Sequence, residues 1–429
     1  MLRSTVVHGE GSDARRLRSR IGPSFVALVA CVSWPAGASA QEVPPPRLFA
    51  HYMAWFEADP AGGRWGWHWT MNRFDPSKAI AGSPEIASKF HPVIGPYDSA
   101  DPHVVEYHLL LMRLAGIDGV IVDWYGRADL WDHARIHRCT QLVVDMAARL
   151  GLDVAICYED RTISDLVREG RIEAAGRVDH AAAEVAWLAE NWFSRDHYLR
   201  LDGRPVLLSF GRDGLGDEEW SQVLAQAGGP VAFFSEHHRR PAALGGFDWP
   251  VPQDGLAAQD RFARESQEWP ARIPVAFPRF VDVYAEAGVH PSWGRIDDAD
   301  GATFGRTLAG ALTLRPRLVQ IATWNDWSEG TMIEPSVEFG TRDLQAVQQA
   351  KRTLAPEFAI TGEQLELPRR LLALRRSPAT VALPARLDAA ARALSRLDIA
   401  VAADHLRSSA EPLDTHYTPQ GSNLQPSVP

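Results

Sequence analysis

Residues 319–335 read V-Q-I-A-T-W-N-D-W-S-E-G-T-M-I-E-P. Val319, Ile321 and Thr323 alternate with Gln320, Ala322 and Trp324, and this period of two marks a strand with its β-branched residues on one face. Continued past the strand, the alternation sends Asp326 to the same side as Gln320, Ala322 and Trp324. Glu329 follows three residues later, and Trp324 and Trp327 flank the aspartate. Two carboxylates beside aromatic faces suit glycosidic-bond cleavage: one group protonates the leaving oxygen while the other acts at the sugar, whose C–H face stacks on indole. A helix-capping box would also give Asp-x-x-Glu, but it does not call for two tryptophans in the turn.

Seven further apolar runs resemble this one: Leu48 to Trp55, Gly119 to Trp124, Val154 to Glu159, Pro205 to Phe210, Val231 to Glu236, Phe247 to Val251 and Ile273 to Phe277. Amphipathic stretches separate them at 102–116, 129–150, 179–193, 217–227, 255–266 and 301–313. Alternating strand and helix argues for a parallel sheet. Eight repeats predict an α/β chain folded as a (β/α)8 (TIM) barrel, with its chemistry at the C-terminal ends of the strands. The sixth run is the weakest, because it is short and contains Pro250.

The same parity puts Val154 and Ile156 on the helix-facing side and Ala155, Cys157 and Glu159 inside. Asp123 ends the second run, Glu236 the fifth, and Asp282 follows the seventh. A charge inside a barrel is costly unless paired or used, so acids repeated at one rim point to a site. Each alone would serve equally well as a helix cap or an arginine partner.

Composition narrows the ligand. The 54 acidic and 44 basic side chains give a formal charge of −10, which disfavours nucleic acid and anionic membrane as partners and fits a neutral carbohydrate. Tryptophan is abundant at 15 against 8 tyrosines, and Trp55, Trp65, Trp67 and Trp69 cluster with His51, His68 and Asn72 as a candidate saccharide platform.

The ends read differently. Arg15, Arg16, Arg18 and Arg20 precede an apolar run from Phe25 to Trp34 and then Ala38-Ser39-Ala40, so residues 1–40 read as a signal peptide and the protein as exported, periplasmic or extracellular. Leu28-Val29-Ala30-Cys31 offers a lipoprotein signal as the alternative, with Cys31 as a lipid anchor. No later segment has the apolar length of a membrane span. The barrel is expected over 45–355, a helical extension over 356–409, and a disordered tail over 410–429.

The stretch Trp324-Asn325-Asp326-Trp327-Ser328-Glu329-Gly330-Thr331, with Ile333-Glu334-Pro335, resembles the signature of glycoside hydrolase families 71 and 99. Family 99, the endo-α-mannosidases and endo-α-mannanases, has N-E-W-x-E-G-T-x-I-E-P. Family 71, the α-1,3-glucanases, has W-N-D-Y-x-E. Upstream, His51-Tyr52-Met53-Ala54-Trp55-Phe56, Ile94-Gly95-Pro96-Tyr97-Asp98-Ser99, Ala115-Gly116-Ile117-Asp118-Gly119-Val120 and the segment Tyr198 to Val206 are similar too, so the resemblance spans residues 47–345.

This resemblance implies an exported hydrolase of α-mannan or α-glucan, with Glu329 as general acid/base. Asp326 would act as a base on the sugar 2-hydroxyl with retention, or on water with inversion. Aspartate is one methylene shorter than the family 99 glutamate. It leaves room for water and so favours inversion, whose carboxylates stand roughly 6.5–9.5 Å apart against about 5–5.5 Å for retention. The resemblance further implies Tyr52, Trp55, Trp124 and Tyr125 as subsite residues, and Asp123, Glu159, Asp160, Asp282, Trp324 and Trp327 are expected beside them. Trp124 reads equally as a core aromatic.

No cofactor or metal is expected. His133 and His137 lie four apart on a helix but lack a third ligand, and Cys139 and Cys157 read as buried free thiols. His237-His238-Arg239-Arg240 reads as a solvated loop. No glycine-rich phosphate loop follows a strand. Two rival classes stand beside the hydrolase. A non-catalytic glycan-binding protein would tolerate loss of one carboxylate, and both are present. A polysaccharide-cluster glycosyltransferase would need a cytoplasmic nucleotide-sugar, which the export signal opposes.

Overall fold

The computed structural model describes residues 44–414, apart from residues 60, 61, 81, 212, 381 and 382. The expected signal peptide and lipid anchor at Cys31 lie outside the described residues, as do residues 415–429.

Nine parallel strands form one sheet: β1 Arg47–Met53, β2 Gly119–Trp124, β3 Asp153–Glu159, β4 Arg204–Phe210, β5 Ala232–Glu236, β6 Gly245–Phe247, β7 Ala271–Ile273, β8 Val275–Ala276 and β9 Leu318–Ile321. Each pairs with its neighbour in chain order except β7 and β8, which flank Pro274. β7 pairs with β6, β8 pairs with β9, and β9 returns to β1 in the register Leu48↔Val319. β7 and β8 are thus halves of one stave. Proline has no N–H for the ladder, but its carbonyl still accepts from Gln320 N at 3.0 Å. The result is a nearly closed (β/α)8 barrel.

The sixth stave starts two residues earlier than its sequence suggests, at Gly245. A Cβ there would fall 1.8 Å from the Ala271 carbonyl oxygen. Only glycine permits that approach of β6 to β7.

Parity sorts the core into two layers. Phe49, Met53, Ile121, Ala155, Cys157, Leu208 and Phe234 fill the barrel interior. Leu48, Ala50, Tyr52, Val122, Trp124, Val154, Ile156 and Ile321 face the helices. The helices follow the amphipathic stretches. Pro102–Ala115, for example, starts where the Asp101 side chain accepts from His103 N with Pro102 in the first turn, and ends at Gly116 in the left-handed region.

The C-terminal extension is helical and has three α-helices: Glu366–Arg376, Pro384–Ser395 and Ile399–Asp414. Pro384 opens the second, where its missing N–H costs nothing. The third runs past residue 410 into the span expected to be a disordered tail. The extension docks on the barrel through Arg375, whose Nε and Nη2 reach the two oxygens of Glu106 at 2.9 and 3.0 Å. No helix among the described residues is long and apolar enough to cross a membrane.

Candidate active site

The loop after β9 is fixed before its carboxylates do anything. Asn325 spans back to β1, its Oδ1 accepting from Met53 N at 2.8 Å and its Nδ2 donating to Met53 O at 2.9 Å. The Thr323 hydroxyl accepts from Asp326 N at 2.8 Å and pairs with Thr331. Gly330 sits at φ +68°, and a Cβ there would meet the Val281 carbonyl at 2.9 Å; glycine is required on both counts. Glu334 is fully buried, accepting from Tyr97 OH at 2.7 Å and Trp327 Nε1 at 3.2 Å. The G-T-x-I-E-P continuation therefore builds the loop rather than touching a ligand.

Within this frame the Asp326 Oδ1 accepts from Ser328 Oγ at 2.7 Å and from Glu329 N at 3.1 Å. Glu329 receives the Tyr284 hydroxyl on Oε1 at 3.2 Å. Both carboxylates border a cavity of about 1070 Å³ at the C-terminal mouth of the barrel, together with Asp123, Glu159 and Glu236.

Burial raises these carboxyls, and neighbouring acids add to the rise at Glu329, Asp123 and Glu159. Desolvation, then the charge of Asp326, holds Glu329 well above the carboxylate range, against a counter-effect of Tyr284. Burial also raises Asp326, while Ser328 and the Glu329 amide oppose the rise. Burial and Asp326 push Asp123 up to about 7, and burial with Asp123 raises Glu159 strongly. One carboxyl that keeps its proton beside one that gives it up more readily is the division of labour that general acid catalysis needs.

Aromatic surfaces surround the acids. Trp55 stacks on His68 at 4.4 Å between ring centroids, Tyr125 stacks on His133, and Trp249 stands edge-on to His51. Trp67, Trp131 and Trp293 stand exposed at the mouth.

Of the residues expected at the site, Trp55, Asp123, Tyr125, Glu159, Asp326 and Glu329 line the cavity. Six others do not. Tyr52 points to the helix layer and meets His108 Nδ1 at 3.0 Å. Trp124 lies among His137, Trp187 and Trp192, its Nε1 donating to His137. Trp324 packs on His108, because β9 ends at Ile321 and the alternation cannot be carried past it. Trp327 lies behind the loop, its indole held by Tyr97 and Glu334.

Asp160, one step beyond the inward Glu159, accepts from Trp220 Nε1 at 2.9 Å and from Ser209 Oγ at 3.2 Å. Asp282 organises the loop behind the rim, accepting from Ser292 Oγ at 2.9 Å and Trp293 N at 2.8 Å. The run His237 to Arg240 is not a solvated loop: His237 lines the cavity, and Arg240 is buried with its Nη1 2.9 Å from Asp217. Tyr284, Trp131 and Trp293 have no sequence reading behind them. Only Tyr284 carried a hint, two residues beyond Asp282.

Residues 46–233 match the family model of Glycosyl hydrolase family 99, a match that ends before the Asp326–Glu329 loop. Among curated relatives, a glycoprotein endo-alpha-1,2-mannosidase-like protein of Danio rerio is 23% identical over 287 residues, covering 59% of this chain and 60% of that protein. The chain thus spans about 60% of that relative's length. Its counterpart in Mus musculus is 24% identical over 337 residues, covering 68% and 69%. The glycoprotein endo-alpha-1,2-mannosidase of Xenopus laevis is 21% identical over 342 residues, covering 71% and 74%. The solved GH99 endo-alpha-mannosidase of Bacteroides thetaiotaomicron shares the fold, with a TM-score of 0.54 at 18% identity over 74% of this chain and 98% of that one. The chain is thus similar to Glycosyl hydrolase family 99 over residues 46–233 and to glycoprotein endo-alpha-1,2-mannosidases over a longer span, which supports glycoside hydrolase as its class of enzyme.

Proposed function

We propose that the protein hydrolyses α-linked mannose-containing glycans, with Glu329 as the general acid and Asp326 as the partner carboxylate. The relatives named endo-alpha-1,2-mannosidases support the substrate class. The observation that carries the chemistry is the placement of Glu329: it borders the cavity, holds its proton well above the usual range, and is oriented by Tyr284.

In this reading Glu329 passes its proton to the glycosidic oxygen as the C1–O bond breaks. Asp326 takes a proton from a water whose oxygen bonds to C1, acting through Oδ2 because Oδ1 already accepts from Ser328 and the Glu329 amide. The short aspartate leaves room for that water, so the first-formed product has inverted configuration. Action outside the cytoplasm rests on the reading of residues 1–40, with Cys31 as the alternative lipid anchor, and the N-terminus of the mature protein, read by mass spectrometry, tests it.

The test is new reducing ends from α-1,2- and α-1,3-linked mannan, with α-1,3-glucan included because Asp326 follows the family 71 pattern. Glu329→Gln and Asp326→Asn are expected to lower turnover on natural glycosides by roughly 10²–10⁴-fold. Binding without reducing ends would replace the hydrolase with a glycan-binding protein. A retained anomer, read by NMR, would move Asp326 from water to the 2-hydroxyl and leave hydrolysis standing.

A further inference from the structure

Strands β1, β2 and β3 each send one side chain to the same point on the cavity floor: His51, Asp123 and Cys157. One donor atom of each lies within 4.8 Å of the other two. All three are buried, at 0%, 4% and 0% exposure. His51 Nε2 and Asp123 Oδ1 have no hydrogen-bond partner among the described residues, and such orphaned polar atoms are costly in an interior.

The state of the imidazole follows from its neighbour. Gln320 Nε2 donates to Asp248 O at 2.7 Å, which fixes the amide and leaves Oε1 facing His51 Nδ1 at 3.5 Å. The proton therefore belongs on Nδ1, and Nε2 keeps a lone pair. A histidine whose far nitrogen is held by an outer partner is the arrangement found around metal-ligating imidazoles. Trp249, edge-on at 4.8 Å, packs against the ring.

We propose that His51, Asp123 and Cys157 bind a divalent transition metal of the zinc class. The donors are one imidazole nitrogen, one carboxylate oxygen and one thiolate, a borderline-soft set that suits such an ion. On binding, the thiol proton leaves to solvent and the metal–sulfur bond takes its place. His51 and Asp123 border the cavity while Cys157 lies among the interior core residues. The fourth position therefore opens toward the substrate, where a water or a sugar hydroxyl completes it. The second cysteine marks the contrast: Cys139 lies on the helix His133–Leu150, with the Arg135 guanidinium 3.7 Å from its sulfur, and has no such company.

The test uses the whole chain, stripped with chelator and titrated with Co²⁺, and it does not read activity. One ion per chain is expected, with a thiolate-to-cobalt charge-transfer band in the near ultraviolet that Zn²⁺ displaces. Cys157→Ser removes the band and Cys139→Ser keeps it. Gln320→Leu weakens binding by about 10–100-fold, as loss of an outer partner does. Wild-type protein that takes up no stoichiometric Co²⁺, or whose bound ion shows no sulfur band, overturns the proposal even if a variant fails to fold. A band lost with Cys139→Ser instead would overturn it as well.

Discussion

Tyr284 donates its hydroxyl to Glu329 Oε1 at 3.2 Å and so joins the loop after the seventh stave to the acid after the eighth. The bond favours the ionised carboxylate and partly offsets desolvation and the repulsion from Asp326. Its removal in Tyr284→Phe raises the proton affinity of Glu329 further. A hydrogen bond to a charged group contributes about 1.5–3 kcal/mol, equivalent to about one to two pH units. The general acid works only while protonated, so the descending limb of kcat against pH should move to higher pH by about one to two units. A limb that stays put or moves down would remove Glu329 from the role of acid.

The last residue of β3 and the one after it should behave in opposite ways. Asp160 answers Trp220, Ser209 and Leu215 N in the wall. Asp160→Ala leaves those donors unpaired and is expected to lower unfolding free energy by about 1–3 kcal/mol, with KM unchanged. Glu159 faces the cavity and is crowded by Asp123. Glu159→Ala should leave the denaturation midpoint level or higher and raise KM, since the carboxyl meets substrate rather than wall. Denaturant titration of both variants beside their kinetics checks the pair; equal stability losses would show that parity does not separate their roles.

That pair also shows why the barrel was readable and part of its site was not. Period two sends Asp123 and Glu159 inward, and in the structure His51, Met53 and Tyr125 share the cavity with them. Tyr52, Trp124 and Asp160 are each one step off this set and so belong to the wall. They were chosen by residue type and resemblance, which carry no parity. Trp324 failed for another reason: the alternation was extended past Ile321, where the ladder stops. Trp131 and Trp293 stand on loops, and Tyr284 opens the short helix Tyr284–Ala287 beyond the seventh stave, where no local pattern specifies the course of the chain. The His51, Asp123 and Cys157 cluster is assembled from three staves at separations no sequence motif spans.

Arg279 holds the rear of the site. It is fully buried, lies at 3.9 Å over the Phe339 ring, donates to Met332 O at 2.9 Å, and pairs with Asp298 at 2.9 Å and with Asp343. Arg279→Met leaves the buried Asp343 carboxylate with Arg342 alone, 3.1 Å away, and is expected to cost about 3 kcal/mol. Adding Asp343→Leu should recover a substantial part, because the penalty lies in a buried charge left with half of its compensation. Denaturant unfolding of the single and double variants gives the coupling; a double variant no more stable than the single would place the loss in the Phe339 and Met332 contacts instead.

Trp131 and Trp293 stand at the cavity mouth with 61% and 48% of their surface exposed. Trp131 also adopts φ +49°, an uncommon conformation for so bulky a side chain, with the Arg168 guanidinium 5.7 Å from its ring. Water offers no reason to hold an indole there, whereas a sugar ring stacked on it does. Neither side chain reaches the reacting carbon in the proposed chemistry, so each should bind ground state and transition state alike. Trp131→Ala and Trp293→Ala are therefore expected to raise KM for long glycans by up to roughly tenfold, about 1.4 kcal/mol, with kcat held. The same variants should differ little from wild type on a disaccharide too short to reach the rim. A fall in kcat with KM unchanged would instead place the indoles in the chemical step.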